Sequence, residues 1–334
     1  MSRRVKLSVK YQGVDISLDI SKYLIGFTYT DNASNEADSL EITLEDKDGL
    51  WHGEWLPEKG DLIYASFSVE NWTKDNSVQV LPCGAFTLDE ISLSGPPDTV
   101  ALKGQSVPVN SSIKHTKQTK SWKQVNLSKI AGDIASASGL SMMFECSEDP
   151  FYESIDQVKE GNIAFLQKLC TREGISLKVT NSTIVLFEQK LYEAKEALIT
   201  LEKGKSNILS YSFNSSTNDT AYGSCRVRYT DPVTSETIEY TTTVGEGQQL
   251  EVNEQVKSVE EAKRLSEQRL REKNSNEYTA QFSLMGDTRL VSGVTIELKG
   301  WKKFDGKYII QKANHVVIGG YKTDIELTKC LEGY

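Results

Sequence analysis

Trp122-Lys123-Gln124-Val125-Asn126-Leu127-Ser128-Lys129-Ile130 opens the stretch that decides the fold, and it runs on to Glu188. A helical run follows to Gly139, then a short apolar segment from Leu140 to Phe144. The plan then recurs. Ile163, Leu166, Leu169 and Cys170 fall at spacings of three and four, which is one face of a helix. Gly174 stops that helix, because glycine accepts the left-handed conformation a helix end prefers. Ile175, Leu177 and Val179 alternate with polar residues as a strand, and Ile184 to Phe187 returns after a turn at Asn181-Ser182. Two helix–glycine–strand units in tandem are thus set in a chain that reads as β on either side.

Toward the N-terminus, Val5, Leu7, Val9 and Tyr11 alternate with polar residues as a strand with one wet face. Gln12-Gly13 turns it, and Ile16, Leu18 and Ile20 read as the return strand. Leu40, Ile42 and Leu44 alternate again, Asp46 to Gly49 is a turn, and Leu62 to Val69 is a strand. Phe86 and Leu88 share one face while Ile91 and Leu93 have the other parity, so an extra residue near Asp89-Glu90 predicts a β-bulge. Val100 and Leu102 resume the sheet after the Gly95-Pro96-Pro97-Asp98 turn. Residues 105–121 read as a polar linker, with Lys114, His115, Lys117 and Lys120 as a basic patch.

Toward the C-terminus, Leu209, Tyr211 and Phe213 alternate, as do Cys225, Val227 and Tyr229, with Arg226 and Arg228 on the opposite face. The apolar set is expected to fill a barrel. Ser258 caps a helix to about Lys273, with Glu260 and Glu261 in its first turn against the helix dipole. Strands follow at 278–284, 294–298, 306–310, 315–318 and 325–327, with Asp305-Gly306 as a hairpin signal.

The chain of 334 residues carries 38 lysines and arginines against 47 acidic residues, a net charge of −9. That balance argues against a protein that wraps DNA or lies on anionic lipid. No apolar run approaches the roughly 20 residues that span a bilayer, and the N-terminus alternates where an export signal needs a continuous apolar run. Five widely spaced cysteines with no CxxC pair read as free thiols of a reducing cytoplasm. None of the three histidines, His52, His115 and His315, has a metal-ligand neighbour. With Gly49 at the invariant sixth position of a calcium loop, Leu44 and Trp55 stand where carboxylates are required. There is no G-x-S-x-G elbow, Walker loop or G-x-G-x-x-G. Asp89, Glu90 and Glu145 offer carboxylates for glycoside cleavage but read as solvated charges. No catalytic, cofactor-binding or metal-binding residue is assigned, and no cofactor is expected. The tryptophans, Trp51 and Trp55 among them, suit a sugar platform or an interface, against the simpler reading that most fill or cover a barrel.

Three stretches together resemble the phage late control gene D protein family, the baseplate hub of contractile tails, as in Gram-positive prophages and phage-tail-like bacteriocins. The first is Gly84-Ala85-Phe86-Thr87-Leu88-Asp89-Glu90-Ile91, with the Pro96-Pro97 turn and Gly104-Gln105-Ser106. The second runs from Trp122 through Leu127-Ser128-Lys129-Ile130-Ala131 to Gly139-Leu140, continuing with Gln157, Phe165-Leu166, Leu169 and Gly174. The third is Phe304-Asp305-Gly306-Lys307-Tyr308-Ile309-Ile310 with His315 and Gly319-Gly320-Tyr321-Lys322-Thr323. The chain departs from the family at the cap of the second insertion helix, where Gly161 and Asn162 replace serine and aspartate; both cap acceptably.

The resemblance implies an α+β, mainly β fold of two tail-tube-like β-barrel domains with a helix-containing α/β insertion. The expected division is a first barrel at 1–108 completed by about 198–222, an insertion at 109–197, and a second barrel at 223–334 with one helix at about 258–273. It implies a structural hub without enzymatic activity. Three chains form a ring that joins the hexameric tail tube to the trimeric central spike, beside other baseplate proteins. DNA passes through the lumen without specific binding, and nothing inserts in a membrane. Assembly is expected in the bacterial cytoplasm, and the product is a component of the virion tail or a phage-tail-like particle. Candidate interface residues are Arg226, Arg228, Trp51 and Trp55, with the arginines directed to a neighbouring subunit or the exterior and the lumen neutral to acidic. A tail-associated cell-wall hydrolase and a carbohydrate-binding tail module are the alternatives.

Overall fold

The computed structural model describes residues 2–34, 36–72, 74–106, 117–180, 182–232 and 234–331. The N-terminal part gives β1 (Arg4–Tyr11), β2 (Val14–Asp15), α1 (Ser17–Ser21), β3 (Leu24–Asn32), β4 (Ser39–Glu45), β5 (Leu62–Glu70), β6 (Val78–Ser94) and β7 (Thr99–Gln105). There follow β8 (Lys117–Asn126), α2 (Leu127–Ala137), β9 (Ser141–Glu145), β10 (Phe151–Gly161), α3 (Asn162–Glu173), β11 (Ser176–Thr180), β12 (Thr183–Phe187) and α4 (Gln189–Glu193). The remainder gives β13 (Ile199–Glu202), β14 (Ile208–Ser215), β15 (Tyr222–Thr230), β16 (Thr237–Thr243), β17 (Gln248–Val252), α5 (Val259–Asn274), β18 (Tyr278–Met285), β19 (Thr295–Lys299), β20 (Gly306–Ile318) and β21 (Tyr321–Lys329). The fold is α+β and mainly β.

One 13-stranded sheet runs β14-β18-β21-β20-β3-β4-β7-β6-β5-β1-β2, with β19 on β20 and β13 on β19. Its two halves meet where β20 pairs with β3, His315 opposite Tyr29. Each half wraps around a core of its own. Phe27 on β3 and Phe67 on β5 have ring centroids 5.3 Å apart, yet β4, β7 and β6 lie between them in the ladder. Four strand spacings in a flat sheet would separate them by about 19 Å, so the first half curls on itself. In the second half, Tyr211 of β14 meets Trp301 at 5.5 Å, and Phe213 meets Phe304 at 4.7 Å, across the same kind of gap. The bulge expected near Asp89 is present: the register of β6 against β7 shifts between Leu88 and Glu90.

The two helix–glycine–strand units form a third core. Leu127, Ile130, Phe165, Leu166 and Leu169 pack against Leu177, Ile184 and Leu186, and Trp122 stacks on Phe165 at 5.5 Å. Gly174 adopts the left-handed conformation, φ 71°, that ends α3. Gly161 caps α3, so the departure from the family pattern leaves the helix intact. The start of α2 is capped from a distance: Asp149 accepts from the Ser128 N–H at 3.0 Å and Oγ at 2.6 Å, placing a carboxylate at the positive end of the helix.

Several expectations are corrected. Residues 16–20 do not form a return strand. Asp15 accepts hydrogen bonds from the Ser17 N–H and Oγ, which turns the backbone into α1 after a two-residue strand. Strand β8 begins at Lys117, within the stretch read as linker, and pairs with β10; Lys114 and His115 lie outside the described residues. Residues 198–222 do not complete the first half, since β13 pairs with β19 and β14 with β18. Cys225 and Val227 fill no barrel either. Strands β16-β15-β17 form a separate sheet, and its apolar face packs with Ala262, Leu265 and Leu270 of α5 into a fourth core. The alternation was right about the face and silent about what covers it. Asp305-Gly306 ends the β19–β20 connection rather than forming a two-residue turn, with Leu298 opposite Gly306.

Candidate functional site

The sequence candidates fall in two places. Trp51 and Trp55 stand on the loop after β4, which Asp46 organises. Its carboxylate accepts from the Trp51 N–H at 3.0 Å and binds the His52 ring. Burial alone would raise the Asp46 pKa, but these hydrogen bonds hold it below the usual carboxylate range. Trp51 is 5% exposed and belongs to the first core, whereas Trp55 is 40% exposed. The two rings meet edge to face at 5.6 Å, and Tyr23 packs edge-on against both. The structure therefore assigns Trp51 to the rim of the core and leaves Trp55 as the surface member of the pair.

Arg226 and Arg228 lie on the face of the β16-β15-β17 sheet opposite α5. Arg226 pairs with Glu239 at 2.9 Å and reaches Glu251 at 3.9 Å, while Arg228 stands 3.8 Å from Glu239. Hydrogen bonding to Glu239 raises the Arg226 pKa further. Both arginines are thus engaged within the chain, in a cross-strand ladder on a solvent-facing sheet.

A third site escaped the sequence reading. Lys178 on β11 reaches into the junction of the two sheet halves. Its ammonium contacts the Asp31 carboxylate, lies 3.2 Å from Asp38 Oδ1, and donates to the Asn32 carbonyl at 2.7 Å and Ser292 Oγ at 3.0 Å. Ser292 in turn donates to Asp31 through its N–H and its Oγ, both at 2.8 Å. Ser106 Oγ donates to the Val179 carbonyl at 2.7 Å and accepts from the Asp38 N–H at 3.0 Å. One lysine thereby ties the insertion to β3 and to the loop before β19. Asp38 is 1% exposed, and burial pushes its pKa up to about 6 against the pull of Lys178. Near Asp31, on β20, His315 is fully buried, and its Nδ1 lies 2.8 Å from the Tyr321 hydroxyl. Burial pushes the His315 pKa down to about 4, opposed by Asp31 and Asp287. In sequence, Lys178 is the polar member of an alternating strand, which gives no sign of a buried charge.

The carboxylates considered for glycoside cleavage are not brought together. Glu90 on β6 pairs with Lys103 at 3.8 Å, and Glu145 on β9 accepts from Tyr192. Among the described residues, no group of three histidine, cysteine or acidic side chains could hold a metal ion. No helix among them is long and apolar enough to cross a membrane.

Known proteins place this arrangement. The chain is 30% identical over 166 residues to a probable baseplate hub protein of Escherichia phage 186, covering 49% of this chain and 40% of that protein. It is 31% identical over 171 residues to the probable baseplate hub protein of Escherichia phage P2, again over 40% of its length. The matched stretch therefore spans less than half of these relatives. In fold, a 43 kDa tail protein of prophage MuSo2 from Shewanella oneidensis superposes with a TM-score of 0.73 at 14% identity, covering 98% of both chains. A component of the Escherichia coli type VI secretion system, described as similar to the bacteriophage T4 tail proteins gp27 and gp5, superposes with a TM-score of 0.59 at 12% identity over 99% of this chain and 78% of its own. The phage tail baseplate hub (GPD) family matches residues 107–320, well over half of the sequence, and the chain belongs to that family.

Proposed function

We propose that three copies of this chain form a ring at the tail baseplate, joining a hexameric tail tube to a trimeric central spike. The observation that carries this reading is the doubling of the sheet. Six strands wrap the first core (β3, β4, β7, β6, β5, β1) and six wrap the second (β14, β18, β21, β20, β19, β13), joined through β20. Three such chains present six barrel-like units, the number that a six-fold tube requires, in a closed cyclic arrangement. In this reading the insertion decorates the outside of the ring. The likeness in fold to a type VI secretion component described as similar to the tail proteins gp27 and gp5 supports a place in the tail. The chain is structural, is made and assembled in the bacterial cytoplasm, and contacts other baseplate proteins. DNA, where the particle carries it, passes the lumen without specific binding.

The test is imaging of assembled tails, with mass determination of the chain in complex with tube or spike protein. Three copies in a ring are expected. A strict monomer within assembled tails would overturn the reading, whereas a monomeric isolated chain would not, because ring contacts gain from partners. The purified chain is expected to leave peptidoglycan intact; turnover abolished by Glu90→Gln would establish the hydrolase alternative instead.

A further inference from the structure

We propose that the mouth of the first half is a docking pocket for a bulky apolar side chain that a partner protein presents beside a lysine or arginine. The idea rests on the hub reading only for the partner being another tail protein. A cavity of about 310 Å³ opens between β1, α1, β4 and the loop that carries the tryptophans. Its wall includes Val9, Ile20, Leu44, Trp51, Trp55 and Leu56. This volume lies at the small end of ligand sites and fits one or two large side chains. Leu56 of this wall is itself 44% exposed, and Leu18, next to Asp19 on α1, is 83% exposed. An apolar hollow of this kind in a surface is where interface anchors seat.

The rim specifies the charge of the occupant. Asp19 and Glu54 both line the cavity and both are exposed, and neither has an ion-pair or hydrogen-bond partner among the described residues. Two uncommitted carboxylates over an apolar floor favour a cation beside the anchor and repel an acidic segment. The wall also holds an unused donor, since the buried Trp51 indole N–H has no acceptor among the described residues. A peptide segment carries the carbonyls that could fill that role, which favours a protein occupant over a hydrocarbon.

The experiment titrates the full chain with three short capped peptides, followed by tryptophan fluorescence. They carry phenylalanine–arginine, serine–arginine or phenylalanine–glutamate at the centre. The phenylalanine–arginine peptide is expected to bind at least tenfold tighter than the other two. The Asp19→Lys/Glu54→Lys double variant, altered only at exposed positions, should invert the preference toward phenylalanine–glutamate. Trp55→Ala should weaken both phenylalanine peptides. Equal binding of the arginine and glutamate peptides, indifference to the charge reversal, or no binding of any peptide would overturn the proposal. Self-association of the free chain that the double variant abolishes would make a second copy the occupant and also overturn it. Peptide binding without a ring in assembled tails would sink the hub reading alone, and a ring without peptide binding would sink the pocket alone.

Discussion

The core of the insertion and the junction that holds it in place are built from opposite materials. Inside the insertion, Phe165, Leu166, Leu169 and Ile184 are almost wholly buried against one another, and adhesion is non-directional burial of apolar surface. At the junction, Lys178, Asp31, Asp38, Ser292 and Ser106 meet through ions and hydrogen bonds whose geometry fixes one orientation. The first material makes a unit that can hold itself together. The second makes a unit that sits in only one place, because a shifted insertion would leave buried charges without partners.

The comparison breaks first at the core. Phe165 is 1% exposed and stacks on Trp122. Phe165→Ala should cost about 3–5 kcal/mol through lost burial and the cavity left behind, read by denaturant unfolding. The loss should be much the same at pH 5 and pH 7.5. A cost below about 1 kcal/mol would show that the insertion does not depend on its apolar core.

The junction should behave differently. Lys178→Met leaves Asp31 and Asp38 buried without their cation, and breaking a buried pair in this way costs about 3–5 kcal/mol. The burden is carried by ionised carboxylates, and Asp38 already has its pKa pushed up to about 6 by burial. The cost should therefore be largest at pH 7.5 and shrink as the pH falls toward 5. Hydrogen exchange should show the insertion loosening as a body while its own core amides stay protected. Uniform loss of protection across the insertion would mean that the junction and the core are one cooperative unit.

Much of this contrast was legible in the sequence on one side only. The apolar spacing from Ile163 to Cys170, the stop at Gly174 and the parity break at Asp89 are local signals, and the structure holds all three as read. The junction joins Lys178 to Asp31, 147 positions away, and no periodicity reports a partner at that distance. Strand β3 passed unread because its inward residues, Phe27 and Tyr29, are interrupted by Asp31 and Asn32, which are buried for the sake of the junction and the loop beside it. The same limit explains Cys225 and Val227. Alternation identified the buried face of β15, but the helix that begins at Val259, not a barrel wall, covers it.

Acid sharpens the comparison by separating the two titrating groups at the seam. His315 has a folded pKa lowered to about 4 from 6.5, so its contribution to stability is complete above pH 6.5 and is lost as the pH falls through 4, about 3 kcal/mol in all. Asp38 has a folded pKa raised above its unfolded value, so its term runs the other way: stability is gained as the pH falls through about 6 toward 3.8. Asp38→Asn, which imitates the protonated acid, should be more stable than the parent at pH 7.5 and lose that advantage by pH 4. The His315 ring should stay neutral to about pH 4 by NMR. A ring that titrates near 6.5 would mean that the seam is open to water.

The smallest effect on folding is expected at the arginines, and that is what makes them useful. Arg226 and Arg228 sit in ion pairs on an open sheet face, where water and salt screen most of the attraction. The Arg226→Glu/Arg228→Glu double variant should fold and melt close to the parent, apart from mild repulsion by Glu239 and Glu251. If this face meets a neighbouring subunit, the same variant should abolish or weaken ring formation with tube or spike protein while the monomer stays intact. Assembly at parental yield would remove the two residues from the interface and leave them as a cross-strand ladder that stiffens the sheet over α5. A large drop in melting temperature would contradict the premise that the face is solvated, and would place it with the buried junction rather than apart from it.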